Sequence, residues 1–523
     1  MKRTFAAGAL AVGLAVAAAG CTGPAATDTA AKPPTDKVLR VSFLQDPGQP
    51  PDPDIFYAGQ GLLLTTNVYE GLLQYKRGVA KPEIVASLAT SWTAAPDNKT
   101  FTFELRKGVT FHDGTPFTSA AVKASFDRRL AVNQGPAYMV AGIASVTTPD
   151  DYHVVIKLKE PDSAFLGYLA SAYGPRMMSP TALKEHAGSD NAQTWLLTHD
   201  VGTGPYTITD AVVGSHYAMK AYDGYWGPKP YFTTVDIPVH ADLSTQQVLF
   251  DKGDLAVIMH DLSQSAVQSY LKKTTVKTYP LPTMMSNFLF VNPTRAFLTT
   301  PANRVALLNA IDVDAIHKQA FTGRGTVASQ AYPAHMLADG LAKQPFTHDP
   351  AALQALVGSL PADQKTITVG YDSASADHQL VANLLSAQLA PYGLTVKVQG
   401  FPTAELYGWT GDAKTAPDLL LYAGWPDAAS PYTWLHIAAD TGGGLNFLHC
   451  STPEISSLLA AGLKTGDDAT FGKAGEAAAA TGCWRNLINQ DDFMVAQPWL
   501  KGVEAAHIVS APNSLYVADL SVG

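Results

Sequence analysis

SWTAAPDNKTFTFELRKGVTFHDGTPFTSAAVKASFDRR, residues Ser91 to Arg129, carries the densest pattern in a chain of 523 residues. From Thr100 to Arg106 the side chains alternate: Phe101, Phe103 and Leu105 on one face, Thr102, Glu104 and Arg106 on the other. That period of two is the mark of a half-buried strand. Asp97-Asn98 supplies a turn before it, Gly108 interrupts it, and Val109 and Phe111 resume it. His112 to Pro116 then combines turn formers. Thr118 stands at an N-cap position, and Val122, Phe126 and Leu130 predict the apolar face of the following helix. With Ala121 at the third helical position, only half a capping box is present.

Two flanking stretches, VYEGLLQY (Val68–Tyr75) and KPEIVASLATSW (Lys81–Trp92), precede this hairpin and helix. Together they resemble the family 5 extracellular solute-binding proteins, the oligopeptide, dipeptide and nickel receptors of ABC importers. VGTGPYTIT (Val201–Thr209) and the run Tyr222 to Gly227 extend the resemblance. It implies an α/β fold of the periplasmic-binding-protein type, class II and cluster C, with two hinged lobes and an extra domain on the first. The matching boundaries are 37–67, 185–279 and 496–523 for domain I, 68–184 for domain II and 280–495 for domain III.

Length and composition agree with several domains and a large core: 46% of residues are hydrophobic and 15% charged. A net charge of -9, with no long basic run, argues against nucleic acid as a partner. Lys2-Arg3, an apolar run from Phe5 to Ala19 and Ala18-Ala19-Gly20-Cys21 form a targeting signal at residues 1–20. The run is shorter than the ~20 residues a spanning helix needs. Small residues before Cys21 resemble a lipobox, with Ala18 where leucine is usual, so Cys21 is the expected lipidated N-terminus on an extracytoplasmic membrane face. Ordinary secretory cleavage near Ala19 is the other reading. Residues 21–36, rich in Ala, Thr and Pro, read as a flexible tether. Cys450 and Cys483 are left as a pair suited to an oxidising compartment, or as two free thiols.

Along the chain, Leu39, Val41 and Phe43 alternate in a first strand, and the Pro- and Asp-rich segment after it leads into a helix near Leu62. Resemblance places this loop at one wall of the ligand cleft, with Tyr57 to Gln60, including Gly59, as candidates. It also places Tyr138 near a tyrosine that holds the ligand's amino end. LPTMMSNFLFVN (Leu281–Asn292) reads as a crossing into another domain, and its Ser286 and Asn287 are further candidates. Arg304 to Ile316 predicts one amphipathic helix. Lys365–Ser373, Gln379–Leu389 and Leu394–Phe401 predict a β-α-β unit with a right-handed crossover. Glu454 to Ala480 is Ala-rich helical sequence, and Asp492–Leu500 crosses back.

LLLYAGWPDAASPYTWL (Leu419–Leu435) is an apolar strand ending in Gly424-Trp425-Pro426-Asp427. Strand ends of this kind are where α/β sheets place ligands. In the oligopeptide receptors that this chain resembles, the strand end pairs with peptide backbone and an aspartate beyond it binds the α-ammonium. Asp427 takes that role if one residue is deleted after Trp425. Aligning Trp425-Pro426-Asp427 directly puts Gly424 there instead and leaves no anchor. We adopt the first alignment, because an unpaired buried carboxylate is costly and Asp427 otherwise needs solvent. Resemblance offers His378 and Lys414 for the ligand's carboxylate end, while Tyr422 stands where an arginine is found. Side-chain specificity then falls to Trp425, Trp434 and Tyr432, with water filling the remainder.

The function implied is capture of a short peptide by a lipid-tethered monomer that passes it unchanged to permease subunits, with no cofactor and no resident metal. Nickel or a metal chelate, haem or another small solute is the alternative on the same scaffold. The other class, a secreted hydrolase, lacks GxSxG, HExxH and zinc-spaced Cys/His sets. GDDATFGKA (Gly466–Ala474) misses the phosphate-loop pattern in both its spacing and the residue after Lys473.

Overall fold

The computed structural model describes residues 30–59, 61–260 and 262–523. The signal segment, Cys21, most of the tether and Gln60 lie outside the described residues.

The opening hairpin builds a four-stranded antiparallel sheet in the order Ala89–Ala94, Thr100–Leu105, His153–Leu158, Ile143–Asp150. Phe101, Phe103 and Leu105 point into one core with Val154 and Ile156, as alternation requires. Helix Ser119–Val132 closes over it through Val122 and Phe126. Thr118 is extended at the N-cap, but its side chain makes no capping bond. Leu130 is exposed, contrary to expectation, since a strict spacing of four drifts around the helix. Arg128 and Arg129 are buried in its place.

A second sheet runs Val38–Arg40, Thr234–Pro238, His216–Ala221, Tyr206–Val212, the first pair parallel. Leu39, Val235, Ile237 and Met219 share its core with Leu500, Val517 and Leu520 from the end of the chain.

Two long antiparallel strands, Lys277–Val291 and Trp484–Ala496, link this core to the rest. At one end they carry Leu281, Met494 and Ala496 into the first lobe; at the other, Leu289 and Ile488 enter the second. Their register slips between Leu281 and Met285, where Pro282 cannot donate to the ladder. Beyond the slip, Leu419–Gly424 adds antiparallel to Lys277–Val291, followed by Thr366–Asp372 and Thr395–Phe401. Thr366–Asp372 is parallel to both neighbours, and helix Ala376–Leu389 supplies the predicted β-α-β connection.

Two expected helices are divided. Arg304–Ile316 is Pro301–Asn309 followed by Val313–Ile316, because the Asp312 carboxylate accepts from Ala315 N–H and starts a new N-terminus. Glu454–Ala480 is Pro453–Thr465 and Asp468–Ala480, separated at Gly466, whose φ of 72° takes the left-handed conformation of a helix stop. Cys450 and Cys483 are bonded, their Cα atoms 6.0 Å apart.

Candidate functional site

Between the lobes lies a cavity of about 470 Å³, inside the ~300–1,000 Å³ range of small-ligand sites. One wall is the loop carrying Tyr57 and Gly59, with Tyr173 behind it. The opposite wall is the C-terminal ends of Thr366–Asp372 and Leu419–Gly424, and the crossing strands supply Asn287 and Gln490. Parallel strands end here, which is where open α/β sheets place ligands.

Asp427 is the focus of the site. It is 8% exposed and lines the cavity, and the hydroxyls of Tyr57 and Tyr138 both donate to its Oδ2, Tyr138 at 2.7 Å. Burial raises its pKa above the ordinary carboxylate value, and the two tyrosine bonds pull it back. A charge on His436 would lower it further. A carboxylate left with hydroxyl donors and, among the described residues, no paired cation is suited to receive an ammonium group.

The loop holding Asp427 reaches across the cleft. Ala428 is buried in the core of the opposite lobe, Ala429 N–H donates to Tyr75 Oη at 2.9 Å, and the Ser171 hydroxyl donates to the Asp427 carbonyl. Trp425 packs against the same core.

The loop that carries Tyr57 is anchored by a buried ion network. Arg128 meets Oδ1 and Oδ2 of Asp52 at 2.8 and 2.6 Å and Asp54 at 2.6 Å; Arg129 meets Asp54 at 2.8 Å. Arg129 also donates to the carbonyls of Pro53, Tyr173 and Gly174, tying both aromatic walls to one helix. No sequence motif singled out these four charged residues.

Several expected residues meet at the cavity: Tyr57, Gly59, Asn287 and His378, with Tyr422, Gly424, Trp425 and Asp427. Tyr138 joins them through Asp427. The imidazole Nε2–H of His378 donates to Asn287 Oδ1 at 3.1 Å, while burial holds its pKa below the ordinary value.

Three candidates stand elsewhere. Trp434 is fully buried in the core of the second lobe, donating from its indole to the Ala331 carbonyl at 3.0 Å. The side chain of Lys414 is 87% exposed, beside Asp412 on a separate groove. Ser286, on the crossing strand Lys277–Val291, is buried, and its hydroxyl accepts from Asn486 Nδ2. Conversely, Asp372, Tyr173 and Tyr407 line the cavity without having been anticipated. Asp372 ends a strand of the same sheet just as Gly424 does, and that signal could have found it.

Residues 83–446 match the sequence pattern of the bacterial extracellular solute-binding proteins, family 5 Middle. The chain belongs to this family. Among relatives, a probable D,D-dipeptide-binding periplasmic protein, DdpA, of Escherichia coli K12 is 26% identical over 401 residues, covering 76% of this chain and 77% of that protein. The glutathione-binding protein GsiB of Escherichia coli O1:K1 / APEC is 28% identical over 447 residues, covering 83% and 82%. In fold, the chain is similar to the ABC transporter-associated periplasmic binding protein DppA of Helicobacter pylori in complex with the peptide STSA. The TM-score is 0.78 at 21% identity, covering 93% and 98%. The two-lobed solute-binding fold expected from the sequence is therefore the fold of this family 5 protein. Among its described residues there is no metal-binding group of three or more His, Cys, Asp or Glu, and no helix long and apolar enough to cross a membrane.

Proposed function

We propose that this solute-binding protein captures short peptides with a free amino end and passes them unchanged to the permease of an ABC importer, acting as a monomer held to the membrane by lipid on Cys21. The observation that carries the reading is the buried Asp427 carboxylate, bonded by two tyrosine hydroxyls and facing a cavity between two lobes. An α-ammonium set against Oδ1 completes its charge, and residues 422–424, beyond the last pair of their strand with Thr366–Asp372, offer backbone for pairing with the peptide. Tyr57 comes from one lobe and Asp427 from the other, so a ligand touching both draws the lobes together. The probable D,D-dipeptide-binding and glutathione-binding relatives support the same ligand class. The domain boundaries at 68, 185, 280 and 496 are part of this proposal.

The test is calorimetry with a panel of di- and tripeptides, each free and N-acetylated, alongside mass spectrometry of the material that copurifies. Free peptides are expected to bind and acetylated ones to lose at least about tenfold in affinity. Equal binding of both forms, or a copurifying solute without a peptide bond, would falsify the reading.

A further inference from the structure

We propose that the preferred cargo is a basic peptide, in which a lysine, arginine or ornithine side chain seats its positive charge at Asp372 while the amino end occupies Asp427. This rests on the peptide reading above and specifies its substrate class.

The charge inventory of the cavity carries the argument. Three carboxylates line it, those of Asp372, Asp377 and Asp427, and among the described residues none of the lining side chains is a lysine or arginine. Arg324 pairs with Asp377 across 2.6 Å, and among the described residues neither Asp372 nor Asp427 has an ion pair. Lys414, the cation expected to meet a peptide carboxylate, is on the outside. A zwitterionic peptide brings one positive and one negative charge and so leaves the cavity as acidic as before. One extra cation on the ligand removes that deficit, and opposite charges in a partly desolvated cleft attract more strongly than in water.

Asp372 is held in place without being paired to a cation among the described residues. It is half-buried at the C-terminal end of Thr366–Asp372, and neutral donors hold it: the Ala374 N–H at 3.0 Å from Oδ1 and Thr403 Oγ1 at 2.9 Å from Oδ2. Asp372 and Asp427 act on the same space. Burial is the first cause that holds the Tyr407 hydroxyl above its ordinary pKa, and the charges of both carboxylates add to it.

The rest of the lining suits a cation. Tyr57, Tyr173, Tyr407, Tyr422 and Trp425 present π faces, which attract ammonium and guanidinium groups. Tyr407 and Tyr422 are joined hydroxyl to hydroxyl at 2.9 Å, fixing two of these rings. Helix Ala376–Leu389 begins at the cavity, and a helix N-terminus favours an anion. That preference is met within the chain, since Asp377 sits in the first turn and Ser375 Oγ accepts from His378 N–H.

Calorimetry with Ala-Ala-Lys and Ala-Ala-norleucine, and with the pair carrying lysine or norleucine at the second position, isolates the charge from side-chain length. In the wild type at least one lysine peptide is expected to bind about tenfold or more tighter than its norleucine partner. In Asp372→Asn the ratio of lysine-peptide to norleucine-peptide affinity should shrink to about twofold. Thr403→Val, which frees Asp372 without removing its charge, should keep the preference and so guards against a folding defect in the first variant. Norleucine peptides binding as tightly as lysine peptides, or a preference that survives Asp372→Asn, overturns the inference and leaves the peptide reading standing. Failure of every free peptide to bind overturns both.

Discussion

The indole of Trp425 covers Gly59 so closely that a Cβ added to residue 59 would stand 2.5 Å from Cη2 and 3.0 Å from Cζ2 of the ring. The two residues come from opposite walls of the cleft, and the contact is part of the seam between the lobes. The φ of Gly59 is not in the left-handed region, so the requirement for glycine is one of space. Gly59→Ala is expected to displace Trp425 and weaken peptide binding by roughly tenfold, mainly through faster release, since affinity differences among variants of one site reside mostly in the off-rate. Stopped-flow fluorescence measures both rates. Gly142→Ala, which meets nothing within 4 Å, serves as the control. A fall confined to the on-rate would contradict the seam.

Asp427→Asn keeps the shape of the side chain and removes its charge. Loss of a charge-assisted bond to the ligand's ammonium should cost about 2 kcal/mol, or roughly thirtyfold in affinity. N-acetylated peptides should bind the variant and the wild type alike. Calorimetry on the four combinations gives the coupling directly, and a coupling near zero would detach Asp427 from the amino end.

Because burial raises the pKa of Asp427, acid should reach this carboxylate earlier than an ordinary one. An ammonium ligand needs the ionised form, so affinity should decline as pH falls through that raised value, above the usual ~4 of a carboxylate. The empty protein responds in the opposite sense. A carboxyl whose pKa is higher folded than unfolded contributes stability below its unfolded pKa and loses it as pH rises through the folded value. Tyr57, Tyr138 and His436 are the titratable groups that act on it. Peptide titrations at several pH values, with Asp427→Asn as the flat reference, check the decline; identical profiles for both proteins would refute it.

Periodicity made the scaffold readable wherever one face of an element meets a core, as in Thr100–Leu105 and Thr366–Asp372. It failed where a local capping interaction overrides an apolar stripe, as at Asp312 and Gly466. Within the site, the end of Leu419–Gly424 was legible because strand ends bind ligands. Applying the same rule to Thr366–Asp372 would have flagged Asp372. Trp434 and Lys414 carry the right chemistry, but which side of the sheet they occupy is decided by packing that no local pattern reports. The Arg128–Asp52 and Arg129–Asp54 pairs join segments more than seventy residues apart, and charged residues in a helix read by default as a solvated face.

That network gives the last prediction. Arg128→Met leaves Asp52 and part of Asp54 buried without a counter-charge, in a position where both are at most 1% exposed. Breaking a buried pair from one side costs about 3–5 kcal/mol, chiefly because the remaining charge stays desolvated. Denaturant unfolding should register that loss, and Arg128→Met combined with Asp52→Asn should recover part of it by removing the stranded charge. The effect on binding is separable. The loop from Asp52 to Tyr57 is held by this network and delivers the Tyr57 hydroxyl to Asp427, so Arg128→Met should weaken binding of free-amine peptides even at temperatures where the variant is folded. In a Tyr57→Phe background that second effect should vanish, because the hydroxyl that the network positions is already gone. If Arg128→Met weakens binding equally in both backgrounds, the network stabilises the lobe without positioning Tyr57.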